Sequence, residues 1–198
     1  MENKKIIRFV ESLILLPIAT MSSVPMGSIT QATVNIVQNS LTSQTVLSEK
    51  LNKIEELAER AKAEAIDLYF KSRSMPLAGL GAKMVLEAKK HELDWRLVAA
   101  IAVRESTGGK HACKKVENNP FGWGSCKIGF DSVEESIETV ARNLGGNNPK
   151  TARHYDNKST IQILRAYNPP SIVPKYAEQV ISIMNVIGPA EITVPENA

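Results

Sequence analysis

A mainly α-helical fold is predicted by three features of this sequence. Apolar residues recur at alternating spacings of four and three from Leu47 to Leu68. Helix start and stop signals then repeat between Leu77 and Gly188. Between them lies one excursion, residues 107–130, rich in Asn, Gly and Lys, which is expected to be a loop or a short β-hairpin. At 198 residues the chain has room for one ordinary domain and flanking segments. Its 43% hydrophobic and 23% charged residues belong to a globular protein rather than a disordered one.

Residues 1–32 have the order of an export signal. Lys4, Lys5 and Arg8 precede the apolar stretch Leu13 to Ala19, and the small residues Ser22, Ser23, Gly27 and Ser28 follow. The segment is read as a signal peptide cleaved near Ala32 or as a retained membrane anchor. Glu11 and Pro17 leave the apolar run too short and interrupted for a clear spanning helix. Residues 33–46, rich in Thr, Ser, Gln and Asn, are expected to be a polar linker. An amphipathic helix is expected over 47–73, with Leu47, Leu51, Ile54, Ala58, Ala61, Ala65 and Leu68 in a heptad-like stripe. Alanine at several of these positions weakens a coiled coil. The helix can serve as a stalk, mediate self-association, or pack on the domain, the last being the simplest.

The main domain is expected over residues 76–188. Met75-Pro76 breaks the long helix, and a second helix covers 77–91. Asp94 is placed as the N-cap of a third helix, whose apolar run reaches Val103 before Gly108-Gly109. Ser132 and Glu135 form a capping box for a helix ending at Leu144, before Gly145-Gly146. Ser159 opens a short helix to Ala166, Asn168-Pro169-Pro170 is a turn, and Pro174 begins a last helix stopped by Gly188-Pro189. Residues 189–198 read as a polar tail, and there is no internal repeat.

The net charge of +3 is too small to indicate a nucleic-acid binder, and it suits work near an anionic envelope polymer or lipid surface. Cys113 and Cys126 are expected to form a disulfide, which agrees with export. A zinc site lacks partners at suitable spacing, since His111 is the nearest histidine and no second Cys or His joins it. Neither cysteine has the context of a peptidase nucleophile, Ser106 has no base partner set, and no phosphate-cradling loop follows a strand. No metal or cofactor is expected.

Chemistry concentrates at Glu105. Leu97, Ile101 and Glu105 are spaced by four and share one helix face, with Val98 and Ala102 beside it. A carboxylate ending an apolar stripe at a helix C-terminus has its pKa raised by desolvation and by the negative end of the helix dipole. That suits a general acid, which must still hold a proton near neutral pH. The plainer alternative is a salt bridge from Glu105 to Arg104 or Lys110 at the helix end.

The run Ala100 to Gly109 resembles the helix-plus-Glu-Ser motif of lysozyme-like lytic transglycosylases and bacterial endo-β-N-acetylglucosaminidases. Asn119-Pro120-Phe121-Gly122-Trp123-Gly124 is similar to the Asn-x-Phe-Gly segment of the glucosaminidase branch. Ala166-Tyr167-Asn168 resembles the Ala-Tyr-Asn motif of the transglycosylase branch, and Tyr176-Ala177-Glu178-Gln179-Val180 the Tyr-x-x-x-Val helix that closes such domains. The resemblance spans about residues 77–188. It implies a lysozyme-like helical domain that cuts peptidoglycan glycan strands at a β-1,4 bond between N-acetylated amino sugars. Glu105 would be the acid, with lytic transglycosylase or muramidase as variants on the same fold. A catalytically silent wall-binding or scaffold protein is the alternative of another class.

The resemblance also places Tyr155 and Tyr167 as assisting groups, and Ser106, Asn119, Phe121, Trp123 and Asn168 along the substrate. Independently of it, Phe121 and Trp123 can pack on the C–H faces of sugars or fill the core of a domain with only 5% aromatic residues. A second carboxylate, usual in glycosidases, is not named by the sequence. Glu117 and Asp131 are the nearest unassigned candidates, while Glu134 and Glu135 fit a helix N-terminus.

Overall fold

The structure, a computed structural model, describes the backbone of residues 31–192 and the side chains of residues 44–192. Residues 1–30 of the expected leader (1–32) and the last residues of the tail (193–198) lie outside the described residues. The chain divides after Leu47 into two units, and the second, beginning at Ser48, holds all the elements that follow the first helix.

Eight helices and no strand occur among the described residues. They are α1 (Gln31–Lys71), α2 (Gly81–Lys90), α3 (Leu97–Ser106), α4 (Trp123–Cys126), α5 (Val133–Leu144), α6 (Ala152–Tyr155), α7 (Thr160–Tyr167) and α8 (Tyr176–Ile187). The helix α1 corrects the expected linker, because residues 33–46 are helical. Polar composition misleads here: Ser, Thr, Gln and Asn lower helix propensity only modestly, and neither Gly nor Pro occurs between Ser28 and Met75 to stop the helix.

The face of α1 that packs also differs from the heptad-like stripe. Ala63, Ile66 and Phe70 are buried, whereas Leu51, Ile54 and Leu68 remain 56%, 41% and 68% exposed. At 100° per residue the two sets lie roughly 140° apart around the helix. The contact is close because Gly81 of α2 lies against the carbonyl of Ala63, leaving no room for a Cβ. Asp67 Oδ1 accepts the N–H groups of Gly79 and Gly81 at 2.8 and 3.0 Å, so a carboxylate of α1 caps the start of α2. Lys89 adds ion pairs to Glu55 and Glu59 on the same face.

Helix α3 is the centre of the domain. Leu97 through Ala102 are wholly buried, and α2, α5 and α8 pack around them. An all-round apolar helix is the sequence mark of such a position. Its proper start is Leu97, later than expected; Asp94 caps the preceding turn by accepting Arg96 N–H at 3.0 Å. Arg96 also pairs with Asp94 at 2.7 Å and donates to Gly188 O at 2.9 Å, while Trp95 Nε1 donates to Ala190 O at 3.0 Å. These bonds lock the start of α3 to the end of α8. Trp95 is thus a core residue, 6% exposed.

The capping signals at Ser132 and Ser159 are realised. Glu135 N–H donates to Ser132 Oγ at 3.1 Å, and the Glu135 carboxylate accepts Asp131 N–H at 2.7 Å. Gln162 Oε1 accepts Ser159 N–H at 2.9 Å in a full capping box. Ile137, Val140, Ala141 and Leu144 of α5 are completely buried, each larger side chain contributing about 1.5–3 kcal/mol through burial.

The 107–130 excursion forms no hairpin. Gly122, Gly124, Ser125 and Cys126 all have positive φ, between 56° and 64°, and such a run cannot enter a strand ladder. Its backbone is held instead by Asn119, which is fully buried. Asn119 Nδ2 donates to Trp123 O and Ile128 O at 2.9 and 2.8 Å, and its Oδ1 accepts from Phe121 and Trp123 N–H at 3.3 and 3.0 Å. The Cys113–Cys126 disulfide closes the loop, with Cα atoms 5.4 Å apart.

Candidate active site

A cleft of about 460 Å³ opens beside the C-terminal end of α3. Glu105, the penultimate residue of that helix, forms part of its wall. The disulfide loop contributes Gly122, Trp123, Gly124 and Ser125, while Tyr155, Tyr167, Asn168, Pro169 and Ile172 complete the lining. Glu105 is the only carboxylate among these lining residues. Glu117 and Asp131 are exposed and outside the lining.

The Glu105 carboxyl is pushed above the usual carboxylate range, chiefly by burial. A hydrogen bond from Tyr176 and the charge of Arg104 pull it back only in part. Tyr176 OH donates to Glu105 Oε1 at 2.6 Å. Burial and the neighbouring Glu105 charge raise the Tyr176 phenol far above its ordinary range, so it stays a donor. With Oε1 occupied as an acceptor, a proton on the carboxyl belongs on Oε2. A Cβ on Gly122 would stand 3.1 Å from that oxygen. The positive φ of Gly122, 64°, and its missing side chain let the loop backbone approach the acid this closely.

The salt-bridge alternative for Glu105 is not what the structure contains. Lys110 Nζ donates to the carbonyl of Arg73 at 2.8 Å, and Arg104 Nε to Gln179 Oε1 at 2.8 Å. Arg104 instead lies over the Tyr176 ring, 5.6 Å from its centroid. Tyr176 stacks on Tyr167 at 6.1 Å, and Tyr167 meets Trp123 at 5.9 Å. Tyr167 OH donates to Phe121 O at 2.6 Å, and burial raises its pKa well above the ordinary value. An aromatic row thus joins α8, α7 and the disulfide loop, with Trp123 and Tyr167 lining the cleft and Tyr176 bonded to Glu105.

Of the residues singled out in the sequence, Glu105, Trp123, Tyr155, Tyr167 and Asn168 share the cleft. Ser106, Asn119 and Phe121 are buried outside its lining. Ser106 Oγ donates to Ala102 O at 3.0 Å and accepts Gly109 N–H at 2.9 Å, closing the end of α3. Asn119 organises the loop, and Phe121 anchors it in the core. Tyr155 is 8% exposed, and burial raises its pKa. Tyr176 is the residue that sequence reasoning left without a role at the acid. Its motif marks the start of the closing helix, but α8 had to be docked on α3 before the phenol could be seen to meet Glu105.

A helical domain that holds one protonatable carboxyl against an aromatic-lined cleft fits the lysozyme-like hydrolases of glycan strands. The particular family is defined by its sequence model: the chain belongs to the Glucosaminidase family, described as mannosyl-glycoprotein endo-beta-N-acetylglucosaminidase, which matches residues 81–188. The match runs from the first residue of α2 to the residue after α8, so it contains the whole cleft. No curated protein and no solved structure matches the chain. Membership makes a glycoside hydrolase of glycan strands the class of activity, with peptidoglycan as the substrate the family implies. The family and the disulfide together suggest an exported protein. Among the described residues no helix is long and apolar enough to cross a membrane.

Proposed function

We propose that this chain is an endo-β-N-acetylglucosaminidase of peptidoglycan, cleaving a β-1,4 bond between N-acetylated amino sugars with Glu105 as general acid. The observation carrying this reading is the Glu105 carboxyl itself, with its raised pKa, its Oε1 occupied by Tyr176 and its Oε2 beside Gly122. In this reading Glu105 Oε2 gives its proton to the glycosidic oxygen as the C1–O bond breaks. With no second carboxylate in the lining, the acetamido oxygen of the substrate supplies electrons to C1, forming a cyclic oxazolinium. Water then opens that ring at C1, and the Glu105 carboxylate accepts the proton the water loses. Trp123 packs on a sugar face, while Tyr155, Tyr167 and Asn168 position the acetamido sugars. Ser106, Asn119 and Phe121 support this arrangement from beneath.

The test is digestion of purified sacculi by the chain and by Glu105→Gln, with mass spectrometry of the fragments. New reducing N-acetylglucosamine ends that vanish in the variant are the expected result. Clearing of sacculi unchanged by the substitution would sink the assignment. The lone carboxylate also favours a second reading, a lytic transglycosylase, which anhydromuramic ends would identify. A muramidase would leave reducing muramic acid ends. Binding without fragment release by the unaltered chain would mean a wall-binding protein.

A further inference from the structure

The charge of this chain is unevenly placed. The segment 110–127 contains Lys110, Lys114, Lys115 and Lys127 but a single carboxylate, Glu117, giving a formal +3. That equals the formal +3 of the entire chain, so the other residues balance to zero. All four lysines are exposed. The lysines of α2 are paired with acids: Lys83 with Glu87 at 2.8 Å and Lys89 with Glu55 and Glu59. Those of the loop form no ion pair with a described carboxylate; Lys110 spends its ammonium on the Arg73 carbonyl.

The disulfide gathers this charge. Lys114 and Lys127 each follow a half-cystine, and the two half-cystines have Cα atoms 5.4 Å apart. The same loop supplies Gly122, Trp123, Gly124 and Ser125 to the cleft. The lysines themselves are not among the residues lining the cleft, but cations on a loop that also lines it attract anionic groups carried by whatever strand enters. A peptidoglycan strand carries such groups as the free carboxylates of its peptide stems. We propose that Lys114, Lys115 and Lys127 form a docking face for stem carboxylates, making stem-bearing glycan the preferred substrate over stripped glycan. The proposal rests on the peptidoglycan reading above.

The test compares the full chain with Lys114→Gln/Lys115→Gln/Lys127→Gln and with the charge-keeping Arg triple, each on sacculi with stems and on sacculi stripped by an amidase. The Gln triple should lose about fivefold in kcat/KM on stem-bearing glycan, in line with several weak exposed ion pairs. The Arg triple should lose little. On stripped glycan all three should act alike, and 0.5 M salt should remove the difference. Co-sedimentation with both kinds of sacculi gives a readout independent of cleavage, with the same order expected.

Equal loss of the Gln triple on both substrates, or no loss on either, would overturn the docking face. So would retention that follows an added phosphodiester wall polymer rather than the stems. Failure of every protein to cut glycan would count against the proposed function instead, and sedimentation would still decide the docking face.

Discussion

Tyr176, the first residue of α8, donates its phenolic hydrogen to Oε1 of Glu105, the penultimate residue of α3, across 2.6 Å. Tyr176 is 1% exposed, so its end of the bond is held out of solvent. A donor to the ionised carboxyl lowers its pKa, and burial acts in the opposite sense.

Removing the hydroxyl in Tyr176→Phe should therefore raise the Glu105 pKa. A general acid is active only while protonated, so the alkaline limb of the pH–rate profile should move to higher pH. With Oε1 left unsatisfied and the carboxyl less fixed, kcat should fall about tenfold at the optimum. A profile unchanged in shape would show that the bond does not govern the acid.

Arg104 acts on the same group through its charge, which also lowers the Glu105 pKa. Arg104→Met should shift the alkaline limb upward, as Tyr176→Phe does, while leaving the Tyr176 bond in place. Arg104→Lys should keep most of the original profile. Kinetics across pH at low ionic strength would show the shift most clearly.

Glu105→Gln should abolish catalysis, by about a thousandfold or more, and yet stabilise the fold at neutral pH. The folded pKa of Glu105 lies above its unfolded value. The stability linked to its protonation is present below the unfolded pKa and is lost as pH rises through the folded one. The variant should thus melt above the parent at neutral pH, the gap closing toward the ordinary carboxylate range. Thermal unfolding followed by circular dichroism at several pH values checks the sign.

At Gly122 an alanine would meet two obstacles, the positive φ of 64° and the Glu105 oxygen 3.1 Å from its Cβ. Backbone strain costs about 1–2 kcal/mol. The expected outcome is a folded protein with a modestly lowered Tm and a kcat reduced much further than that loss explains.

Replacing Cys113 and Cys126 by serine should lower stability by roughly 2–3 kcal/mol, through the freedom regained by the unfolded loop. Trp123 would then be ordered only by Asn119 and its aromatic neighbours. KM for glycan should rise more than kcat falls, since ordering the loop becomes part of binding. Denaturant melts and steady-state kinetics on the double variant measure both effects.

Much of this protein is determined locally and was therefore legible in the sequence. Caps at Ser132 and Ser159, the glycine stops, and the apolar run from Leu97 to Ala102 each express a preference that acts within one helix turn or along one helix face. The place of Glu105 at the end of that run has the same origin. The length of α1 is not legible in composition: the Ser/Thr/Gln/Asn-rich stretch suggests a break, yet no residue in it forbids helix.

Tertiary packing decided the rest. Which face of α1 is buried depends on where α2 lies, and Gly81 sets that contact. The disulfide loop is not a hairpin because Asn119 satisfies its amides from within, a bonding pattern no periodicity reports. The Glu105 carboxyl has one oxygen occupied and the other beside Gly122 only when α8 and the loop close on α3. Those contacts join residues 71 and 17 positions apart, and their energies depend on burial, which only the assembled fold supplies.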